Sequence, residues 1–120
     1  KPGETVYDLG SGDGILLLEA AKSEAKLVGI ELNYFLVWYS RLRILFGGQK
    51  NVRVVRGDIR TYPIKDADVV LMYLWPSTVK ELTQKFNREL KTGARVVSQG
   101  FPIATWEAQR EEQMVFLYKK

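Results

Sequence analysis

Gly10-Ser11-Gly12-Asp13-Gly14 is the stretch of this sequence best suited to chemistry. It stands between a strand pattern, Thr5-Val6-Tyr7-Asp8-Leu9, and a helix pattern opening at Ile15-Leu16-Leu17-Leu18. A glycine-rich turn at that junction lets a ligand approach the backbone closely and meet the start of a helix. The spacing is G-x-G-x-G. A dinucleotide fingerprint needs its third glycine one position later, where Ile15 stands, and no Lys-Ser/Thr pair follows to make a P-loop. Asp8 adds a sign argument: its carboxylate repels a pyrophosphate and suits a ligand carrying positive charge. The alternative is a tight strand-to-helix turn with no ligand.

Three further polar residues close strand patterns. Glu31 lies near the end of Leu27-Val28-Gly29-Ile30-Glu31-Leu32, 17 positions after Gly14. Ligands of open α/β sheets bind outside the carboxyl ends of the strands, and an acid at the end of strand two can accept both ribose hydroxyls of an adenosine. Asp58, in Arg56-Gly57-Asp58-Ile59, could accept the adenine amino group while Ile59 packs on the ring. Tyr73 closes strand four. Each acid also has an ordinary reading, Glu31 as a surface carboxylate capping the next helix and Asp58 as a turn aspartate. Acids at three strand ends, together with the glycine turn, favour a nucleoside site. S-adenosylmethionine, with its ammonium and sulfonium, fits the charge at Asp8.

The elements that must position these residues alternate between strand and helix, the pattern of an α/β fold with a parallel sheet. Strand one is expected near Thr5 to Leu9, and its helix from about Gly14 to Glu24. Strand two is 27–32. Asn33 then caps a helix reaching about Phe46, with Phe35, Trp38, Tyr39, Leu42, Leu45 and Phe46 in one apolar stripe of core-packing type. Gly47-Gly48 ends that helix. Strand three is 52–56. Strand four, 68–74, is nearly continuous in apolar residues, as a central strand should be. Ser77 or Thr78 is expected to cap the next helix, with Val79, Leu82, Phe86 and Leu90 inward, and strand five is 94–99. The end of the chain reads as a hairpin, with 105–109 antiparallel to a last strand at 114–118.

Length and composition fit one domain with one core: 120 residues, 46% hydrophobic and 27% charged. No apolar run approaches the roughly 20 residues that span a bilayer. Cysteine and histidine are both absent, which removes disulfides, a thiolate nucleophile, the usual general base and the commonest metal ligands. No metal site is expected, because the acids sit on separate strand ends. The net charge of +4 permits an acidic partner, although the lysines and arginines read as scattered over a solvated surface.

Val6-Tyr7-Asp8-Leu9-Gly10-Ser11-Gly12-Asp13-Gly14 resembles the first motif of class I S-adenosylmethionine-dependent methyltransferases. Leu36-Val37-Trp38-Tyr39-Ser40-Arg41, within the run from Glu31, is similar to a segment of small archaeal protein lysine methyltransferases and their mitochondrial relatives. Arg95-Val96-Val97-Ser98 and Met114-Val115-Phe116-Leu117-Tyr118 resemble the later strands of the archaeal proteins. The likeness runs over essentially the whole chain. It implies a doubly wound Rossmann-like sheet, mostly parallel, with a C-terminal antiparallel strand. It also implies a helix before strand one; the chain opens at Lys1-Pro2-Gly3, so that helix is expected to be lacking here, the chain being either a truncated piece or an unusually small member, with weaker cofactor retention, an exposed apolar face or dimerisation as consequences.

The resemblance implies S-adenosylmethionine as cofactor, held by Asp8, Gly10, Ser11, Gly12, Asp13, Gly14, Glu31, Leu32, Asn33, Asp58, Ile59 and Tyr73. It implies methyl transfer to the ε-amino group of protein lysines. Such transfer is an in-line displacement that runs on positioning and needs no strong base, which suits a chain without histidine. Tyr73 and Trp75, with Trp106 beside them, would form an aromatic channel holding an alkylammonium by cation–π attraction. Trp75 also reads as a lid over the sheet end. Tyr73-Leu74-Trp75-Pro76 departs from the Asp/Asn-Pro-Pro-aromatic motif used on exocyclic base amines. RNA methylation and cofactor binding without turnover stay as alternatives. The expected partner is a lysine-bearing protein met in the cytoplasm, with no membrane and no nucleic acid, the chain itself being a monomer or weak dimer.

Overall fold

A computed structural model of the chain describes residues 3–12, 14–112 and 114–120. In chain order its elements are β1 (Thr5–Leu9), α1 (Ile15–Ala20, continued by a 3-10 turn at Ala21–Ser23), β2 (Lys26–Glu31), α2 (Tyr34–Gly47), β3 (Val52–Arg56), β4 (Val69–Met72), α3 (Pro76–Glu89), β5 (Arg95–Gln99), β6 (Arg110–Glu112) and β7 (Val115–Lys119). The strands form one sheet in the order β3-β2-β1-β4-β5-β7-β6. β1 to β5 pair in parallel, β7 runs antiparallel to β5, and β6 antiparallel to β7. The order reverses at β1, between β2 and β4, which is where a doubly wound sheet opens a crevice.

Both faces of the sheet are covered. On one face Leu9, Val70, Met72 and Val96 pack with Val79, Leu82 and Phe86 of α3. On the other Val6, Leu27 and Val54 pack with Leu17 of α1 and Val37 of α2. Asp8 alternates with Tyr7 and Leu9 along β1 and so shares the α1/α2 face with Val6. Its register neighbours are Gly29 on β2 and Leu71 on β4.

Three expectations need correction. The apolar stripe of α2 is one face of the helix, but it points away from the sheet: Phe35, Trp38, Tyr39, Leu45 and Phe46 are exposed, and Val37 and Ser40 are the buried residues. The close approach of α2 to the glycine turn explains this. A Cβ on Gly14 would lie 3.1 Å from Ser40 Oγ, so only small side chains fit beneath the helix. The cap of α3 is not Ser77 or Thr78. Trp75 holds the N-cap position in extended backbone and Pro76 takes the first helical turn, where its missing N–H costs nothing. The antiparallel partner of the last strand is 110–112 in place of 105–109. Trp106 turns into the core, its ring edge-on to Phe86 and Tyr118, and holds that segment off the sheet.

Candidate functional site

The glycine turn is pinned by the strand beside it. Gly10 and Ser11 both donate their N–H to the carbonyl of Ile30, at 2.8 and 3.2 Å, and Gly14 donates to the Ser11 carbonyl. Gly10, Gly12 and Gly14 all take positive φ, at 76°, 60° and 83°. That conformation favours glycine, and the surroundings divide the three. A Cβ on Gly10 would sit 3.3 Å from Leu74, one on Gly14 would press on Ser40, and one on Gly12 would meet nothing within 4 Å. Gly10 and Gly14 therefore serve close packing, while Gly12 faces open space. Asp13 lies outside the described residues.

Glu31 clamps this turn to the start of α2. One carboxylate oxygen accepts from Gly12 N and the other from Asn33 N, both at 2.9 Å. Asn33 in turn caps α2, its Oδ1 accepting from the N–H groups of Phe35 and Leu36. Glu31 thus does the helix-start work of its ordinary reading, and each oxygen keeps a second acceptor position. Ser40 closes the ring: its buried hydroxyl donates to the Gly12 carbonyl at 3.0 Å.

Beneath the turn lies Asp8, only 3% exposed. Its Oδ2 and the Ser11 hydroxyl are buried with no protein partner among the described residues. Burial, and then the nearby Glu31 charge, push the Asp8 carboxyl up to about 6. A buried carboxylate without a donor costs free energy, and a cationic ligand with N–H donors would offset it. The orphaned oxygens, the open space over Gly12 and the spare acceptor positions of Glu31 fit an adenosine bearing positive charge.

The remaining residues extend the rim. Gly57 N donates to the Glu31 carbonyl, which sets Asp58 beside the end of β2. Asp58 Oδ1 accepts from Arg60 N at 2.9 Å, forming a local turn, and lies 3.7 Å from the Arg60 guanidinium. Ile59 packs partly on the core, and Leu32 is exposed. Tyr73 follows β4 directly, next to the Leu74 that contacts Gly10. Tyr73, Leu74, Trp75, Thr78 and Phe101 line a cavity of about 450 Å³. Trp75 is 74% exposed and its ring lies 6.1 Å from that of Phe101. Trp106 does not line this cavity: it is half-buried against the core, and its Nε1 donates to Asn87.

Sequence reasoning passed over four residues that build this region. Ser40 and Gly29 shape the turn; a Cβ on Gly29 would fall 2.4 Å from Leu17 and 2.8 Å from Ser11. Phe101 completes the aromatic cavity, and Gly100, at φ +89°, lets the Tyr73 ring lie where a Cβ would sit 2.9 Å away. The signal for Ser40 was its helical phase with Val37. Among the described residues no group of three or more acids comes together to hold a metal ion.

A model of the ANTKMT methyltransferase domain matches residues 8–110. The adenine nucleotide translocase lysine N-methyltransferase of Mus musculus is 39% identical over 109 residues, which is 89% of this chain and 47% of that protein. The protein-lysine N-methyltransferase of Saccharolobus islandicus is 37% identical over 106 residues, 86% of this chain and 66% of that protein. The crystal structure of an RNA methyltransferase from Salinibacter ruber in complex with S-adenosyl-L-homocysteine superposes with a TM-score of 0.87 and 34% identity, over 96% of this chain and 78% of that one. The chain spans about half the length of the first curated relatives it matches.

Proposed function

The chain belongs to the ANTKMT methyltransferase domain family, and from that premise we propose that it transfers a methyl group from S-adenosylmethionine to the ε-amino group of protein lysines. The observation that carries the cofactor reading is the buried Asp8 oxygen, without a partner among the described residues, beneath a glycine turn held open at Gly12. Bound there, S-adenosylmethionine supplies an electrophilic methyl group on a sulfonium. Asp8 would face its positive end. Glu31 would take the ribose hydroxyls on its spare acceptor positions, and Asp58 with Ile59 would meet the adenine.

Tyr73 and Trp75 supply the acceptor side. Their exposed rings, with Phe101, offer π-faces that hold an alkylammonium and exclude water as the chain enters. An amine of ordinary pKa, about 10.4, must lose its proton before it attacks, and desolvation among these rings lowers that value. The lysine reading is supported by the two lysine-methylating relatives. The name of the Salinibacter ruber protein favours RNA as a second reading.

Methyl-labelled cofactor offered to a mixture of proteins and RNA, followed by mass spectrometry, separates the two. The expected product is methyl-lysine, formed faster as pH rises from about 7 to 9.5 with the deprotonated fraction. Trp75→Ala should lower turnover more than cofactor affinity. Methyl groups on RNA alone would overturn the lysine reading.

A further inference from the structure

The outward face of α2 is the largest feature that the proposed reaction does not use. Phe46 is 84% exposed, Phe35 79% and Leu45 72%, with Trp38, Tyr39 and Leu42 between them on the same side of the helix. A run of large apolar side chains turned to solvent marks an interaction surface. Its charge says what kind. Residues 32–57 contain five arginines and lysines, Arg41, Arg43, Lys50, Arg53 and Arg56, and no acid. The rest of the chain holds thirteen basic and fourteen acidic residues. Basic residues are scattered along the chain, but the positive excess sits in α2, the loop after it and the neighbouring edge strand β3.

The two properties are interleaved in space. The Arg43 guanidinium lies 4.9 Å from the centre of the Tyr39 ring, and that of Arg56 lies 4.8 Å from the centre of the Tyr34 ring. Arg41 and Arg53 line the groove between α2 and β3. A second copy of the same face would bring arginine against arginine with no acid to answer it. Leucine and phenylalanine at the centre, with cations at the margin, suit an apolar medium with an anionic boundary better than a nucleic acid, which needs its cations along the path of a backbone.

We propose that α2 and the edge of β3 form a docking face for an anionic lipid surface. The helix lies along the interface, its leucines and rings entering the headgroup region and its arginines meeting the lipid charge. Because α2 starts at the Glu31–Asn33 clamp, docking brings the rim of the cofactor site close to that surface. No helix among the described residues is long and apolar enough to cross a membrane.

Co-sedimentation with two sets of vesicles tests this: phosphatidylcholine alone, and equal parts phosphatidylcholine and phosphatidylglycerol. Binding is expected to the second set, weakening with added salt. Arg43→Gln and Arg53→Gln should each lower partitioning roughly fivefold. Leu45→Ser with Phe46→Ser should abolish it. Circular dichroism and S-adenosylhomocysteine affinity should stay at wild-type values in all four substitutions, which separates docking from folding. Equal binding to both vesicle sets, or binding to neither, overturns the proposal. So does a single-stranded RNA oligonucleotide that competes the protein off the vesicles through the same residues, or a dimer in analytical ultracentrifugation that Phe46→Ser dissolves.

Discussion

Asp8→Asn separates what the site needs from what the fold needs. The substitution keeps the shape of the side chain and removes its charge. Raising a carboxyl from its ordinary 3.8 to about 6 corresponds to about 3 kcal/mol. The sign follows from proton linkage. The folded protein holds this proton more tightly than the unfolded chain, so the contribution of Asp8 to stability is highest below pH 3.8 and declines as pH rises through the window to about 6. Above that the full penalty stands. The amide of the variant carries no charge to desolvate, although it still wants partners, so the expected gain at pH 7.5 is about 1–3 kcal/mol. In urea that is a midpoint shift of roughly 1 M. At pH 4 the two proteins should differ little. The same substitution should weaken S-adenosylhomocysteine binding at least tenfold by calorimetry, because the charge that destabilises the empty fold is the one that meets the ligand. A variant less stable than wild type at pH 7.5, or one that binds equally well, refutes the reasoning.

Two further outcomes follow from the same geometry. Ser40→Ala removes the hydroxyl that holds the Gly12 carbonyl and leaves that carbonyl without its donor; a loss of about 1–2 kcal/mol in urea unfolding is expected, with weaker cofactor binding by equilibrium dialysis. Gly100→Ala places a methyl group in a left-handed backbone position against the Tyr73 ring; single-turnover kinetics should show a slower methyl-transfer step with cofactor affinity retained.

β1 to β5 and β7 were legible because each carries a short, largely apolar run, and β1 and β2 are buried on both faces; β6, three charged residues, carries no such run. The acids at their ends were legible for the same reason: a parallel sheet brings all those ends to one rim. Asp8 could be read as a partner for positive charge, but its burial and its orphaned oxygen could not. These depend on Gly29 letting Leu17 and Ser11 close over the strand, a contact between elements far apart along the chain. The stripe of α2 was legible as a face and misread in direction. Periodicity gives the angle between side chains and says nothing of which side meets the sheet. That was decided by Gly14 and Ser40, whose smallness sets the distance of approach. Trp106 shows the opposite failure: a residue in a strand-like run was claimed by the core, and the strand formed further along the chain.

The far edge of the sheet carries a consequence for how the protein behaves when crowded. β6 is only three residues long, Arg110, Glu111 and Glu112, all exposed. An unpaired strand is a template on which another chain can add, and the resulting ribbons grow without limit. Here any added strand would have to lay its backbone beside three charged side chains in a row, too short a stretch to return the cost of stripping their water. The hairpin that ends the fold thus works as a stopper. It leaves self-assembly through backbone pairing disfavoured at that edge of the sheet.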